Sequence, residues 1–298
     1  MSKGNNYLSA ANPENQARLL FWRKSSQRAA ELYDSGAKLW KKTDLRDIEN
    51  QLRTEARQFT VQSINGEHVS TPNIMLNTRD PIWKPYVKFR EYWRLVKTQP
   101  DDPVETYHCS YLVDWSNQVA RNFRGTTGNL NSVFEARRNS WKKSSSCRLL
   151  TSQLLRLLDI KKVTKVICFG LGDMCRQPPE WLKRQMESSG QNLEDITAGS
   201  MVQHSIALTI AEVCRNNGTN TIQLLTQDPD YTEESKGLLE RNGFTIVGQF
   251  GAGGFAEIDE GSVVFSVSVE APLKQIIADI ARPTMIISTG FGIFNDHE

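Results

Sequence analysis

No apolar stretch in this 298-residue chain approaches the ~20 residues that a membrane-spanning helix needs. Its first residues, Met1-Ser2-Lys3-Gly4-Asn5-Asn6, lack the apolar run of a secretory signal. Five cysteines (Cys109, Cys147, Cys168, Cys175, Cys214) make neither a metal-type pair nor an even disulfide framework. Four histidines are scattered without zinc spacing. A Walker-type phosphate loop, internal repeats and low-complexity tracts are also missing. These absences lead to the expectation of a reduced, cytoplasmic protein with no metal centre, no membrane partner and no resident cofactor. Hydrophobic content of 39% and charged content of 23% suit a globular protein with a sizeable core.

Acidic residues are scarce in one band. Between Arg121 and Lys165 stand eleven Lys/Arg against only Glu135 and Asp159, a net +9. From Val166 onward eight basic residues face eighteen acidic ones, a net −10, so the overall +2 conceals a segregated charge. Such a band suits a polyanion, with phosphate backbone the expected partner. Arg138 and Lys142 are four apart on one face of an expected helix, flanked by Arg137 and Lys143. Trp141 among them either stacks on a base or faces the core. A merely solvated face is the plainer reading, but solvated faces normally interleave acids.

Residues 1–15 are polar and expected to be flexible. Residues 16–159 read as a mainly helical region. Helical spacing runs from Gln16 to Trp40 and from Leu45 to Phe59, and a small hairpin is expected around Asn65-Gly66. Pro81 and Pro85 interrupt an aromatic-rich segment, and helices are expected at about 103–124, 130–144 and 147–158. From 160 to 298 the pattern changes. Strands at 163–169, 221–226, 244–248, 262–268 and 284–288 alternate with helices at 201–216, 232–242 and 271–281. A polar insertion spans 174–199. This alternation predicts an α/β fold, a Rossmann-like parallel sheet with helices on both faces.

Asp101-Asp102-Pro103-Val104-Glu105 places three carboxylates within five residues. Clustered carboxylates attract a divalent metal, an ammonium or a guanidinium. Apolar residues recur at Val104, Tyr107, Tyr111, Trp115, Val119 and Phe123, so a structural account is also at hand. Asp102 would be a helix N-cap, Pro103 the first helical residue and Glu105 the partner in a capping box. Asp101 is left over by that account.

Gly170-Leu171-Gly172 follows the apolar run Val166–Phe169, where backbone amides approach ligands in nucleotide-binding folds. The third glycine of a dinucleotide fingerprint is absent, and tight packing explains the turn equally well. Asp228 and Asp230 end the next strand, where an acid often binds a ribose hydroxyl; Pro229 equally marks a turn before an N-cap at Thr232. His204 stands near the start of the expected 201–216 helix, as a base or a structural hydrogen-bonder. Ser200, Ser205 and Cys168 are nucleophile candidates by position alone.

Val166–Gly172, Gln203-His-Ser-Ile-Ala-Leu208, Asp228-Pro229 and Leu273–Pro283 together resemble the "sensitivity to red light reduced" domain family. Ala30-Glu-Leu-Tyr-Asp-Ser-Gly36 resembles its fungal members. These usually close with a Trp-Asp segment, where this chain has Ser288-Thr-Gly-Phe-Gly-Ile-Phe294. Within that group, Asp101-Asp102-Pro-Val-Glu105 matches the D-D-x-x-E motif of the fungal arginine-containing cyclodipeptide synthases. The resemblance implies a tRNA-dependent aminoacyltransferase of secondary metabolism. Such an enzyme joins arginine from arginyl-tRNA to the amino acid of a second aminoacyl-tRNA, forming a diketopiperazine. It also implies catalytic roles for Asp101, Asp102 and Glu105, a substrate site at Gly170, Gly172, His204 and Asp228, and tRNA contacts at Arg137, Arg138, Lys142 and Lys143. Alternatives are a non-catalytic regulatory protein of the same domain and a nucleoside-cofactor enzyme such as a methyltransferase.

Overall fold

Leu45, Ile48 and Leu52 recur at helical spacing, and all three are buried on one face of α2 (Lys42–Arg53). The protein is described by a computed structural model covering residues 13–79, 81–117, 129–175, 184–185, 188–189, 194–218 and 221–289. Helix α1 (Pro13–Asp34) precedes α2, and Leu39 and Trp40 are buried in the link between them rather than in a helix. Residues 1–12, much of the expected flexible start, lie outside the described residues. Phe59 was expected to close the second helix but belongs to β1 (Gln58–Gln62), which pairs antiparallel with β2 (His68–Pro72). Asn65-Gly66 lies in the turn between these strands, Gly66 at a φ of 86° that favours glycine.

The expected helix over 103–124 is not formed. A single 3-10 turn at Val104–Thr106 leads into a strand, β4 (Tyr111–Asn117), which pairs along its whole length with β3 (Trp83–Phe89). Residues 118–124 lie outside the described residues. Tyr111 and Trp115 keep helical spacing, but with Val113 between them they also satisfy a period of two, and aromatic and β-branched residues pack well on a pleated surface. A partner strand some 25 residues away therefore overrides the local pattern. Pro85 is tolerated within β3 because it sits on the outer edge. Val87, two residues on, sends its N–H away from β4 to the Phe250 carbonyl at 2.7 Å, so Pro85 forfeits no bond to β4. A short α3 (Tyr92–Val96) follows β3.

The expected helix pair is present as α4 (Leu130–Lys143) and α5 (Ser145–Leu157). Ser144 caps α5 by accepting from the Cys147 N–H at 3.0 Å. Five parallel strands follow: β5 (Lys165–Phe169), β6 (Gln223–Gln227), β7 (Thr245–Ile246), β8 (Ser262–Ser266) and β9 (Met285–Ser288), in the order β7-β6-β5-β8-β9. The connecting helices are α6 (Glu194–Asn217), α7 (Glu233–Arg241), α8 (Gly253–Ala256) and α9 (Leu273–Ile280).

Alternation along these strands divides the core. Ile167, Phe169, Leu225 and Val264 point to one side, where α2, α8, α9 and the N-terminal strands pack. Val166, Cys168, Leu224, Val263 and Phe265 point to the other, against α4, α5, α6 and α7. Each fully buried Val, Leu or Phe in these layers contributes roughly 1.5–3 kcal/mol of transfer free energy. The connections leaving β5 and β6 thus cover one face, and those leaving β7 and β8 cover the other. The change of side falls between β5 and β8, which is where open parallel sheets hold their ligands. Among the described residues, no helix is long and apolar enough to cross a membrane.

Candidate functional site

A cleft of about 490 Å³ opens at the carboxyl ends of β5, β6 and β8. Gly170 and Gly172 follow β5, Gln227 and Asp228 end β6, and Ser268 and Glu270 follow β8. Ser200 and Gln203 of α6 reach it from one side, and Lys84, Tyr86, Lys88 and Phe89 of β3 wall the other. Both glycines are required by geometry. They adopt φ of 62° and 76°, and a Cβ on Gly170 would stand 2.6 Å from the Ser268 backbone. At Gly172 it would stand 2.5 Å from the Ser200 hydroxyl oxygen. Their amides, however, are already used. Gly170 N–H donates to the Gln227 carbonyl at 3.2 Å and Gly172 N–H to the Asp228 carboxylate at 2.9 Å. The loop therefore offers a ligand neither of those two donors.

Asp228 also accepts from the Asp230 N–H at 3.0 Å. Burial pushes its carboxyl up to about 6, with the Asp230 and Asp173 carboxylates adding to the rise and the two amide bonds opposing it. Asp173 is fully occupied in structure: it accepts from the N–H and hydroxyl of Thr232, at 2.6 and 2.8 Å, and from Cys175 N–H. Thr232 in turn caps α7 through Ser235 N–H, as the turn signal at Pro229 implied.

His204 does not begin a helix, as its place in the sequence suggested. Helix α6 starts ten residues earlier, at Glu194, and carries His204 into the core with no exposed surface. A carbonyl can only accept, so Nδ1 donates to the Ser200 carbonyl at 2.7 Å. Nε2 then accepts from the Tyr231 hydroxyl at 2.8 Å, whose oxygen accepts from Thr226 at the same distance. This relay ties α6 to β6, and burial lowers the imidazole to about 4, so it stays neutral. His204 is a structural hydrogen-bonder beneath the cleft. Of the nucleophile candidates, Ser200 lines the cleft, while Ser205 and Cys168 are buried, and burial pushes the Cys168 thiol far above its ordinary range.

These two shifts give opposite pH dependences. Between 6.5 and about 4 the unfolded chain protonates His204 and the folded chain does not, so its contribution is lost as pH falls through that window. Folded Asp228 keeps its proton up to about pH 6 and the unfolded chain only to 3.8, so its contribution is lost as pH rises. Relative to the parent, Asp228→Asn is expected to steepen the gain of stability with pH over 4–6, and His204→Gln to reverse it. Urea unfolding across a pH series checks this; superimposable profiles would refute both assignments.

The acid motif lies elsewhere. None of Asp101, Asp102 and Glu105 lines the cleft. The capping-box account fails: the 3-10 turn is preceded by Pro103, without a side-chain cap. Instead Asp102 forms a 2.6 Å ion pair with Arg90, whose side chain is 7% exposed. Arg90 also donates to the Thr106 carbonyl at 2.8 Å. Arg18 of α1 holds the other side of the loop through the carbonyls of Pro100 and Asp102 and through the Tyr107 hydroxyl. Asp101 and Glu105 remain exposed on a loop pinned by two arginines. Among the described residues no group of His, Cys, Asp and Glu has a metal-holding arrangement.

The basic band is partly neutralised by the fold. Arg138 and Lys142 share Glu212 of α6, at 2.7 and 3.3 Å. Trp141 is half-buried and donates to the Thr209 hydroxyl at 2.9 Å, which anchors its indole to α6. Arg137, Lys143 and Arg148 are exposed; Arg121 and Arg124 lie outside the described residues. Sequence reasoning missed the β3 wall and Glu270. The aromatic-rich character of 83–93 was the available signal, but nothing local indicated which ligand face it would meet.

A search of curated proteins and a search of solved structures each find no match. A model of the SRR1 domain matches residues 148–298, just over half of the chain. The matched segment contains all five parallel strands and the cleft apart from its β3 wall and Ser116 of β4, while the acid motif lies outside it. The chain belongs to the SRR1 domain family.

Proposed function

We propose that the protein is a tRNA-dependent cyclodipeptide synthase that joins arginine from arginyl-tRNA to the amino acid of a second aminoacyl-tRNA. The carrying observation is the D-D-x-x-E loop itself: Asp101 and Glu105 project into solvent from a segment that Arg18 and Arg90 hold in place. A fixed carboxylate can clamp a guanidinium or ammonium through charge-assisted bonds, or accept the proton of an attacking amine. In the reaction, an α-amine attacks an aminoacyl ester, the amide forms, and the tRNA 3′ oxygen leaves. The remaining free α-amine then attacks the remaining ester, closing the ring and releasing the second tRNA through its 3′ oxygen. The ester is already activated, so the chemistry calls for no nucleotide triphosphate. The occupied amides of Gly170 and Gly172 weigh against a nucleoside-phosphate cofactor at the cleft.

Expression in a host with ordinary tRNA pools should place arginine diketopiperazines in the medium, detectable by mass spectrometry. Exposed Arg137 and Lys143 are the tRNA-facing cations in this reading. Replacing both with Glu should weaken tRNA binding and reduce the salt slope by about one per lost phosphate contact. Arg138 and Lys142 are less informative targets, since Glu212 would be left unpaired. Absence of both product and tRNA binding would favour a non-catalytic regulatory protein of the same domain.

A further inference from the structure

The cleft has a chemical preference that its position alone does not indicate. Clefts at this point of a parallel sheet commonly take nucleotides, gripping phosphate with free amides of the first glycine loop. Here the Gly170 and Gly172 amides are spent on the Gln227 carbonyl and the Asp228 carboxylate. Asp228 and Glu270 line the same space and would repel phosphate, while Asp230 lies close enough to Lys84 to favour its charge.

The two lysines of the lining do not reverse that field. Lys84 Nζ is directed at the carbonyls of Pro229 and Gln249, at 3.2 and 3.3 Å, tying β3 to the neighbouring loops. Lys88 Nζ pairs with Asp114 at 3.1 Å. Neither Asp228 nor Glu270 forms an ion pair with a described residue. An ionised carboxylate offers about four acceptor positions, so the two amide bonds leave Asp228 capacity to accept more. The same cleft is lined by Tyr86 and Phe89 of β3, both half-buried, while Phe255 beneath them is fully buried and stacked at 4.6 Å on Phe169. Aromatic faces attract cations, and planar guanidinium groups stack on them.

We infer that this cleft is a binding site for a small unphosphorylated cation, an alkylguanidinium or alkylammonium, held by the carboxylates of Asp228 and Glu270 and by the aromatic side chains of Tyr86 and Phe89. Its volume of about 490 Å³ lies in the ordinary range for small-molecule sites. Placing the arginyl group of the substrate there rests on the proposed synthase reaction; the preference for a cation over a phosphate does not.

Calorimetric titration of the full chain with agmatine, with AMP and with inorganic phosphate tests the inference. Agmatine should bind, displaced by arginine amide, while AMP and phosphate should not. Asp228→Asn should weaken agmatine about tenfold or more, the scale of one lost charge-assisted bond. Because Asp228 also holds two backbone amides, Glu270→Lys provides a second variant: Glu270 is exposed, and reversing its charge should weaken agmatine at least as much while leaving the unfolding midpoint unchanged. No agmatine binding, tighter binding of AMP than of agmatine, or agmatine binding unaltered by Glu270→Lys would each overturn the assignment. Agmatine binding without any diketopiperazine product would leave the cation site standing and remove the synthase reading. Product without agmatine binding would do the reverse.

Discussion

Asp101→Asn and Glu105→Gln are expected to cut arginine diketopiperazine yield by about a hundredfold or more, the scale of removing a general base or its equivalent, while the thermal midpoint barely moves. Both side chains are exposed, so neither substitution empties a packed space, and Arg18, which Asp101 attracts, keeps its bonds to Tyr107 and to the Pro100 and Asp102 carbonyls. Surface substitutions of this kind usually stay within about 0.5 kcal/mol of the parent. Loss of product in a fully folded variant would therefore report chemistry or substrate clamping. Amide variants that fold and retain normal yield would remove these acids from the mechanism. Measuring yield and midpoint on the same preparations separates the two cases.

Asp102→Asn should behave in the opposite way, failing chiefly in stability. Its carboxylate neutralises Arg90, which is nearly buried. Removing one partner of a buried pair typically costs about 3–5 kcal/mol, because the remaining charge is stranded. Asp102 is itself 38% exposed, so water screens part of that loss and about 2–3 kcal/mol is the expected cost. In a chain of this size that lowers the midpoint by roughly 3–5 °C. Arg90→Met combined with Asp102→Asn should recover much of the loss, since no unpaired charge remains. Urea unfolding of the parent, both single variants and the double variant yields the coupling. A single Asp102→Asn variant as stable as the parent would show that the pair is not needed. Three neighbouring acids thus divide into one that builds the loop and two that the loop presents.

What residues 130–157 and the five parallel strands become is written locally. Helical spacing continues uninterrupted through α4 and α5, Ser144 supplies a cap between them, and apolar β-branched runs bounded by turn residues have one way to be buried, as strands covered on both faces. Asn65-Gly66 likewise carries its own turn. These features depend on neighbours within a few residues, so the sequence by itself determined the α/β architecture and the place of the cleft at the ends of its strands. Long-range pairing decided the rest. Tyr111–Asn117 is a strand because Trp83–Phe89 lies beside it. Arg138 and Lys142 lose much of their availability to Glu212, 70 or more residues away in the chain. Asp102 becomes structural through Arg90, and His204 is withdrawn from the cleft by Tyr231 and Ser200. A side chain's charge and hydrogen-bonding capacity are set by its type, but which of them remain for a ligand depends on what the folded chain has already used.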